Sequence, residues 1–397
     1  MVSDSQQLLN PANAPRKIKT IIFVIDGLGV GGAEHLMIPI LGYLNKETFS
    51  ARVCVLQSRD GNPLAEDIRS LGVQVDFLNV RHLRDFTALL RLRNYLKEVK
   101  ADLIHTQLEF ANILGNTSAK ILGLPSVCTV HVQPIRDGRL KSRFHQWVEW
   151  MALRLFCDRI ITVSEDTRRN YIAQSGISPK KLLTIYNGID LTRFNRLKPD
   201  LDRASVREEF HLPKDSFLLT TVAVLRQQKG IEHMIRALPA LHNMHGNVYY
   251  LIVGAGTYLA VLEKEAELTG LRENIIFAGS RKDIPRILSA SDIFILPTLT
   301  EALPTVLAEA MACRLPIVAS AVGGIPEMIQ SNGNGCLVSP AQPSELSEAC
   351  ETLLKQPNLR IRMGDEGWNL VYQKFNIIHQ VIQLEEQYLE LINRYEQ

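Results

Sequence analysis

Short apolar runs alternate with amphipathic segments along the chain, and this alternation predicts the fold. Lys19 to Ile25 and Ile293 to Leu296 are runs of this kind, short, rich in β-branched residues and bounded by polar or turn-forming residues. Such runs are typical of strands buried on both faces of a parallel sheet, and the periodic segments between them are typical of helices. The sequence therefore predicts an α/β protein with doubly wound sheets, which bind ligands at the carboxyl ends of their strands.

Two successive series of strands and helices divide the chain, which agrees with the two domains expected for 397 residues. The first series occupies residues 17–195. The second occupies residues 196–375 and starts with a polar linker that holds one short helix. An amphipathic helix over residues 376–397 closes the chain. Residues 1–16 are rich in Ser, Gln, Asn and Pro, which predicts a flexible N-terminal tail.

Composition and charge narrow the classes of function and the compartment. The formal net charge of +2 gives no sign of a nucleic-acid partner. No apolar stretch is long enough to span a membrane, and the N-terminus lacks the apolar core of a signal peptide. The cysteines show neither metal-ligand nor redox spacing, so a reducing, cytoplasmic location is expected. They are Cys54, Cys128, Cys157, Cys313, Cys336 and Cys350.

The segment from Pro297 to Ala312 follows a predicted buried strand and opens a predicted helix. Pro304 suits the first turn of that helix, because the first turn needs no N–H group at this position. The amides of Thr305 and Val306 are then free donors at the positive end of the helix. This arrangement predicts a binding site for phosphate.

Two carboxylates flank the predicted phosphate site. Glu301 precedes the helix, and Glu309 lies four residues after Thr305, so that Thr305 and Glu309 share one helix face. Carboxylates suit a ligand whose phosphate is flanked by hydroxyl-rich rings, because a carboxylate accepts hydrogen bonds from adjacent hydroxyls. The plain alternative is an ordinary strand, loop and helix with solvated glutamates.

The glycine-rich loop at residues 26–34 follows the first predicted strand and lets a ligand approach the backbone. It contains a match to G-x-G-x-x-G, the pattern of dinucleotide-binding folds. The next strand, Arg52 to Leu56, has no carboxylate at its tip for the ribose of NAD, although Arg59 could serve the 2′-phosphate of NADP. An NAD(P)-dependent oxidoreductase is therefore an alternative function.

Parallel sheets bring the loops that follow their strands to one edge. In the first series, His131 and Ser164 join the glycine loop at this edge. His131 is as readily structural as catalytic, and the simplest role for Ser164 is to cap the next helix. In the second series, Lys229 would supply a cation for a diphosphate held at Thr305. The residues gathered at the second edge are Lys229, Gly254, Ser280, Glu301 and Gly323.

The predicted helix from Leu140 to Cys157 combines basic and aromatic residues. Basic residues beside tryptophans can bind a membrane surface, so one interpretation of residues 136–157 is a peripheral membrane contact. The alternative interpretation is an amphipathic packing helix with a basic entrance. The residues concerned are Arg136, Arg139, Lys141, Arg143, Trp147, Trp150, Met151 and Leu155.

Together these motifs resemble the family-4 glycosyltransferases of the GT-B fold. The segment EALPTVLAEAMA carries Glu301 and Glu309 in an E-x7-E pattern and, with LPIVASAVGGIPEMI after it, looks like the donor-binding signature of that family. The resemblance covers nearly the whole chain, and the combination of motifs is specific. The other motifs in the family's order are GGAEHLM at 31–37, TVH ending at His131, ITVSE at 161–165, YNGID..RF at 186–194 and QKG at 228–230.

The resemblance implies two Rossmann-like domains that face a cleft. The N-terminal domain would hold the acceptor and the C-terminal domain a nucleotide-diphosphate sugar, with a UDP-sugar expected. The C-terminal helix would cross back to the first domain. Such enzymes are usually retaining and need neither a metal ion nor a cofactor beyond the donor. The acceptor is left open and could be a glycan, a glycolipid or a small molecule.

The same resemblance implies roles for individual residues. Glu309 would bind the ribose hydroxyls of the donor, and Lys229 would bind its diphosphate. The expected catalytic residues are His131, near the donor sugar, and Glu301, on the hydroxyls of that sugar. The expected donor-binding residues are Gly31 and Gly32 at the reaction centre, Ser280 and Arg281 beside the base, and Arg226, Lys229, Gly254, Ala302, Leu303, Thr305, Val306 and Glu309.

Three positions depart from the family pattern. Val224 stands five residues before Lys229, where the family usually has an arginine, and Arg226 is a nearby cation that could reach the same phosphate. Ala302 stands where glycine is frequent after the first glutamate, and Arg314 stands where glycine is common before the LP pair. Val224 motivates a second alternative, a sugar-nucleotide-binding subunit with weak catalytic activity.

Overall fold

The computed structural model describes residues 17–29, 31–57, 61–80, 85–131, 140–195 and 197–397. The predicted tail at residues 1–16 lies outside the described residues, and so do Arg59, Arg136 and Arg139. Within the described ranges the chain forms two parallel sheets, each flanked by helices. The predicted α/β class with two doubly wound sheets is confirmed.

Seven parallel strands form the first sheet. In chain order they are β1 (Lys19–Ile25), β2 (Phe49–Val55), β3 (Gln74–Phe77), β4 (Leu103–Gln107), β5 (Ser126–Val130), β6 (Arg159–Thr162) and β7 (Leu182–Thr184). Their order across the sheet is β3-β2-β1-β4-β5-β6-β7. The strand β1 pairs with both β2 and β4 and is buried from Ile21 to Ile25. Continuous burial is what a strand covered on both faces requires.

Six parallel strands form the second sheet. In chain order they are β8 (Phe217–Val222), β9 (Val248–Val253), β10 (Ile275–Gly279), β11 (Ile293–Leu296), β12 (Ile317–Ser320) and β13 (Gly335–Val338). Their order across the sheet is β10-β9-β8-β11-β12-β13. The short run that forms β11 is buried at all four positions, because helices cover both of its faces.

Helices connect the strands, and polar side chains cap several of them. The helices that precede the second sheet are α1 (Gly32–Tyr43), α2 (Ala65–Ser70), α3 (Phe86–Glu98), α4 (Glu109–Leu122), α5 (Leu140–Phe156), α6 (Glu165–Ser175) and α7 (Pro199–Glu209). The later helices are α8 (Ile231–His245), α9 (Leu259–Leu268), α10 (Ile284–Ser289), α11 (Thr305–Ala312), α12 (Ile325–Met328), α13 (Pro343–Lys355), α14 (Pro357–Lys374) and α15 (Ile377–Glu396). As predicted, Ser164 caps α6, because its hydroxyl accepts a hydrogen bond from the amide of Thr167 at 3.1 Å.

The segment predicted as a polar linker before β8 is part of the second domain's packing. Within it, α7 carries Arg207, which is only 3% exposed. Its guanidinium donates to the carbonyl oxygens of Ala290 and Ser216, each at 2.9 Å, and pairs with Asp292 at 3.1 Å. A buried arginine is tolerated when a nearby carboxylate pairs with its charge. The linker interpretation was wrong because the sequence alone does not show those partners.

The last helix, α15, packs against the first domain although it follows the second along the chain. Its residues Val381, Leu384 and Tyr388 belong to the same buried cluster as Phe23 in β1 and Phe49 in β2. Tyr388 also forms a hydrogen bond of 2.6 Å with Nδ1 of the buried His105. This helix therefore completes the core on one face of the first sheet. None of the described helices is long and apolar enough to cross a membrane.

Strand order reverses once in each sheet, between β1 and β4 and between β8 and β11. In a doubly wound sheet the two loops that follow such a pair of strands diverge to opposite faces and leave a crevice, which is where ligands bind. The loop after β8 carries Lys229, and the loop after β11 carries Glu301. The strand order therefore predicts that a ligand of the second domain binds between these two loops.

Candidate active site

Lys229 and Glu301 meet at the crevice of the second sheet, where they form an ion pair between the Lys229 ammonium and Oε1 of Glu301. The two loops are also joined through the backbone. The carbonyl oxygen of Gln228 accepts from the Thr298 hydroxyl at 2.9 Å and from the Leu299 amide at 2.8 Å. The predicted cation and the first predicted carboxylate therefore lie side by side on a loop pair with a fixed geometry.

The start of α11 has the form that a phosphate site requires. The amides of Thr305 and Val306 have no acceptor among the residues that the structure describes. Pro304 is the N-cap rather than a residue of the first turn, because its ψ of 111° is extended. This detail corrects the predicted helix start but leaves the two amides free. They are donors at the positive end of a helix.

Glu309 lies one turn further along α11, on the same partly exposed face as Thr305. Its side chain is 18% exposed, and Oε1 lies 3.4 Å from the guanidinium of Arg193, which belongs to the first domain. Burial raises the pKa of the Glu309 carboxyl, and the positive charge of Arg193 opposes that rise. Arg193 lies within the motif YNGID..RF at 186–194, but the sequence did not predict it as a site residue.

The loop that contains Glu301 rests on the glycine pair that follows β12. Gly323 has a φ of 55°, and a β-carbon there would overlap the carbonyl oxygen of Glu301. The Gly324 amide donates to the carbonyl oxygen of Ala302 at 3.1 Å. The side chains of Ala302 and Leu303 are buried, so the backbone groups of these two residues are the ones available to a ligand.

Gly254 ties together the loops after three neighbouring strands. Its φ is 140°, and a β-carbon there would overlap the carbonyl oxygen of Ala223, just after the strand β8. Its amide donates to the carbonyl oxygen of Gly279 at 2.8 Å, next to Ser280. Only glycine allows this close approach of backbones. Gly254 and Ser280 therefore lie at the same sheet edge as Lys229.

Arg281 follows Ser280, but its side chain is held by acidic residues. Its guanidinium pairs with Glu209 of α7 at 2.5 Å and with Asp283 at 2.8 Å. These carboxylates raise the pKa of Arg281 further above its usual range. The Arg281 side chain is thus directed to α7. Among the described residues, it forms no ion pair or side-chain hydrogen bond with another predicted donor-binding residue.

Val224 and Arg226 lie where the predicted phosphate site departs from the family pattern. Val224 is 39% exposed, so an apolar side chain stands open where an arginine was expected. Arg226 is exposed and makes no ion pair or side-chain hydrogen bond within the described parts of the chain. Lys229 and the α11 amides are therefore the cationic and polar donors that the structure assembles around the crevice.

In the first domain, the predicted residues line the carboxyl edge of the first sheet. Gly31 caps α1 and is partly buried, and Gly32 is exposed. Nε2 of His131, just after β5, lies 3.2 Å from Oε1 of Gln107 at the end of β4. Burial lowers the pKa of His131 to about 4, so the imidazole is neutral at physiological pH. In that state it can donate or accept a hydrogen bond but adds no charge.

Two acidic groups near this edge were not predicted. Asp26 accepts hydrogen bonds from the amides of Phe110 and Ala111 at the start of α4, at 3.2 and 2.7 Å, so it holds that helix in place. Glu149 of α5 accepts from the amide group of Asn112 at 2.6 Å, and burial raises its pKa to about 7. A glutamate within an amphipathic helix gives no sequence signal that it points inward.

The helix α5 has one exposed apolar stripe. Phe144, Trp147 and Leu155 are each more than half exposed, and the rings of Phe144 and Trp147 are stacked with centroids 6.2 Å apart. Trp150 instead packs edge-on against Tyr171, with centroids 6.5 Å apart. Of the two tryptophans in the predicted helix, Trp150 therefore faces the interior and Trp147 faces the surface.

Metal ligands were not predicted for this chain. Among the described residues no group of three or more His, Cys, Asp or Glu side chains is arranged to hold a metal ion. All six cysteines are free thiols.

Several solved structures share this two-domain architecture. Anabaena Alr3699/HepE in complex with UDP superposes with a TM-score of 0.84 at 22% identity, and the match covers 94% of this chain and 100% of that chain. WaaG, a glycosyltransferase involved in lipopolysaccharide biosynthesis, gives a TM-score of 0.74 at 18% identity and covers 93% and 99%. The two facing domains are therefore those of the GT-B fold.

Both domains match glycosyltransferase family models. "Glycosyltransferase Family 4" matches residues 30–193, and "Glycosyl transferases group 1" matches residues 202–369. The chain belongs to the family-4 glycosyltransferases and is a glycosyltransferase by class. This membership confirms the predicted family and gives no support to the oxidoreductase alternative.

Two curated relatives align along most of their length. The UDP-Gal:alpha-D-GlcNAc-diphosphoundecaprenol alpha-1,3-galactosyltransferase of Escherichia coli is 26% identical over 371 residues, which cover 91% of this chain and 95% of that protein. The alpha-maltose-1-phosphate synthase of Mycolicibacterium smegmatis is 26% identical over 361 residues, which cover 83% and 90%.

Proposed function

We propose that the protein is a retaining, metal-independent glycosyltransferase that moves a sugar from a UDP-sugar to an acceptor hydroxyl. The observation that carries this proposal is the crevice between β8 and β11, where Lys229, Glu301 and the free amides of Thr305 and Val306 meet. The crevice offers a cation and helix-end donors for a diphosphate and a carboxylate for the hydroxyls of a sugar.

Breaking the bond between the sugar and the diphosphate leaves negative charge on the leaving oxygen. The Lys229 ammonium and the amides at the start of α11 would stabilise that charge, and they are in place before the bond breaks. With these donors taking the charge, the diphosphate needs no divalent ion. His131 is neutral and would contact the donor sugar from the first domain through a hydrogen bond.

The names of related proteins support a UDP-sugar as the donor and retention as the stereochemical outcome. The Escherichia coli relative is named for UDP-Gal, and Alr3699/HepE has been crystallised with UDP and with UDP-glucose. The products named for two relatives carry alpha linkages. An alpha product favours retention, because the common UDP-hexoses hold their sugar through an α bond.

A thermal-shift screen of nucleoside diphosphates and their sugars tests the proposed donor. UDP or a UDP-sugar is expected to raise Tm, since a ligand at 100 times its Kd stabilises the folded state by about 2.7 kcal/mol. GDP and ADP provide the base controls, and NADPH tests the oxidoreductase alternative. A rise with NADPH and none with any nucleoside diphosphate would contradict the proposal.

Transfer assays with the donor found in that screen test whether the anomeric configuration is retained and whether the reaction needs a metal ion. Activity is expected to persist in EDTA, and the anomeric signal of the product in NMR is expected to match that of the donor. Activity that requires an added divalent ion, or an inverted product, would overturn that part of the proposal. A folded protein that binds UDP but transfers and hydrolyses no donor would favour the weakly active subunit.

We further infer that α5 contacts an anionic membrane surface. Its exposed stripe of Phe144, Trp147 and Leu155 is flanked by the exposed Arg143 and Arg154, which match the charge of acidic headgroups. The Escherichia coli relative is named for a diphosphoundecaprenol acceptor, and a lipid-linked acceptor would place this domain at a membrane.

Vesicle flotation tests this contact. The wild-type protein is expected to float with phosphatidylglycerol vesicles at low salt, and Trp147→Ser is expected to lower the floated fraction several-fold. Ile361→Ser is the matched control, because Ile361 is exposed to a similar degree but lies on α14 of the second domain. Equal flotation of both variants, or no flotation of the wild type, would contradict the contact.

A further inference from the structure

Glu327 connects the two domains through three hydrogen bonds. It lies on α12, just after the glycine pair of the second domain. Its carboxylate accepts from the amides of Glu165 and Asp166 at 2.9 and 2.7 Å and from the Tyr186 hydroxyl at 2.9 Å. All three donors belong to the first domain, and none of the roles assigned above uses this carboxylate.

The first-domain side of this contact is the start of α6. Ser164 already caps this helix through the amide of Thr167, and Glu327 takes the amides of Glu165 and Asp166. A negative charge at this end of a helix is favourable, and its hydrogen bonds are charge-assisted. The second domain therefore supplies part of the cap of a first-domain helix.

Tyr186, the third donor, is itself held from the other side. The Lys374 ammonium lies 4.2 Å from the centroid of the Tyr186 ring, and that ring packs edge-on against Phe375 with centroids 5.6 Å apart. Lys374 and Phe375 lie at the junction between α14 and α15, where the chain returns to the first domain. The Glu327 contact is thus built into the connection between the domains.

The second-domain side of the contact leads directly to the donor loop. Gly324, three residues before Glu327, donates its amide to the carbonyl oxygen of Ala302. A β-carbon at Gly324 would lie 2.8 Å from the β-carbon of Ser164, so the two domains touch there as well. One short segment therefore touches the residue after Glu301 on one side and the start of α6 on the other.

We propose that Glu327 is a positioning residue that holds the Glu301 loop in register with the first-domain wall of the cleft. The inference rests on the proposed function, in which a sugar on the Glu301 loop must meet groups of the first domain. A displacement of about 1 Å between reacting groups can lower a rate about 100-fold, so a contact that fixes the two walls affects turnover. The Glu327 carboxylate bonds to first-domain groups, whereas the residues proposed for the nucleotide, Lys229 and Glu309, lie elsewhere in the second domain.

Steady-state kinetics of Glu327→Ala test the role. We expect kcat to fall about tenfold while the Kd for UDP stays within about twofold of the wild-type value. A residue that only stabilises the fold would lower Tm without changing kcat below the unfolding range. A residue of the donor site would raise the Kd for UDP. Either of these results would overturn the proposal.

Glu345→Ala is the matched control. Oε2 of Glu345 accepts a backbone hydrogen bond from Ser339 at 2.6 Å, but both residues belong to the second domain. This variant loses a bond of the same kind without separating the domains, so its kcat is expected to equal that of the wild type. Tyr186→Phe provides a milder second variant if Glu327→Ala does not fold. It removes one of the three bonds and is expected to lower kcat by about twofold to threefold.

Two measurements test the Glu327 contact between the domains without any substrate. Hydrogen exchange at the amides of Glu165 and Asp166 is expected to speed up in Glu327→Ala and to stay unchanged in Glu345→Ala. The radius of gyration from X-ray scattering is expected to rise in Glu327→Ala. If the wild type transfers no sugar, the proposed function fails, and unchanged exchange and scattering would then overturn the positioning role separately.

Discussion

Glu301→Gln is expected to lower kcat by about 100-fold or more while the affinity for UDP stays within a few-fold of the wild-type value. The Glu301 carboxylate lies ahead of α11 and next to the Lys229 ammonium, whereas Glu309 lies within that helix. Glutamine keeps the shape of the side chain but loses the charge with which the carboxylate accepts bonds from sugar hydroxyls. Lys229, released from its ion pair, remains available to the diphosphate.

Isothermal titration with UDP and initial rates with the UDP-sugar donor separate these two effects. Glu265→Gln is the matched control, since Glu265 forms an ion pair with Arg236 on the surface of the same domain at 2.8 Å. That variant is expected to keep the wild-type kcat. An equal loss of UDP affinity and kcat in Glu301→Gln would assign Glu301 to the nucleotide instead of the sugar, contrary to the proposal.

Glu309→Gln is expected to weaken UDP binding about 10- to 100-fold, which is the usual worth of hydrogen bonds to a charged group. The carboxylate would accept hydrogen bonds from both ribose hydroxyls, whereas a glutamine is uncharged and offers one acceptor oxygen and one NH2 donor. Calorimetry with UDP measures the change. Wild-type affinity in this variant would remove Glu309 from the nucleotide site.

The pH dependence of UDP binding gives an independent test of the same residue. Burial raises the pKa of Glu309, so its ionised form is lost at a higher pH than for an exposed glutamate. UDP affinity of the wild type is therefore expected to decline as the pH falls, and the decline is expected to begin at a higher pH than an exposed glutamate would give. Glu309→Gln carries no titrating group at this position and is expected to show a flatter profile.

The sequence predicted the elements that converge on the crevice because a parallel sheet leaves little choice. Once the apolar runs are read as strands, the loops after them must meet at one edge, and Lys229, Glu301 and Gly254 follow such runs. The order of the strands, which makes β8 and β11 neighbours, is not visible in the pattern. The structure supplies it and so explains why those two loops form the centre of the site.

The sequence patterns did not predict the ion-pair partners of the charged side chains. Arg281 is expected beside the base, and no sequence pattern showed that Glu209 of α7 and Asp283 of its own loop pair with its guanidinium. Arg207 was read as part of a polar linker and is instead buried against Asp292. Ion pairs between residues distant in sequence depend on how helices dock, and no periodicity reports that geometry.

The packing of α15 bears on how the chain reaches its native state. The first domain lacks one wall of its core until Ile377–Glu396 has been made, because Tyr388 and its neighbours fill the space beside β1 and β2. During synthesis from the N-terminus, the second domain is therefore complete in sequence before the first can close. A chain shortened before Ile377 loses a structural wall of its first domain, and the apolar faces of β1 and α1 are left open to aggregation.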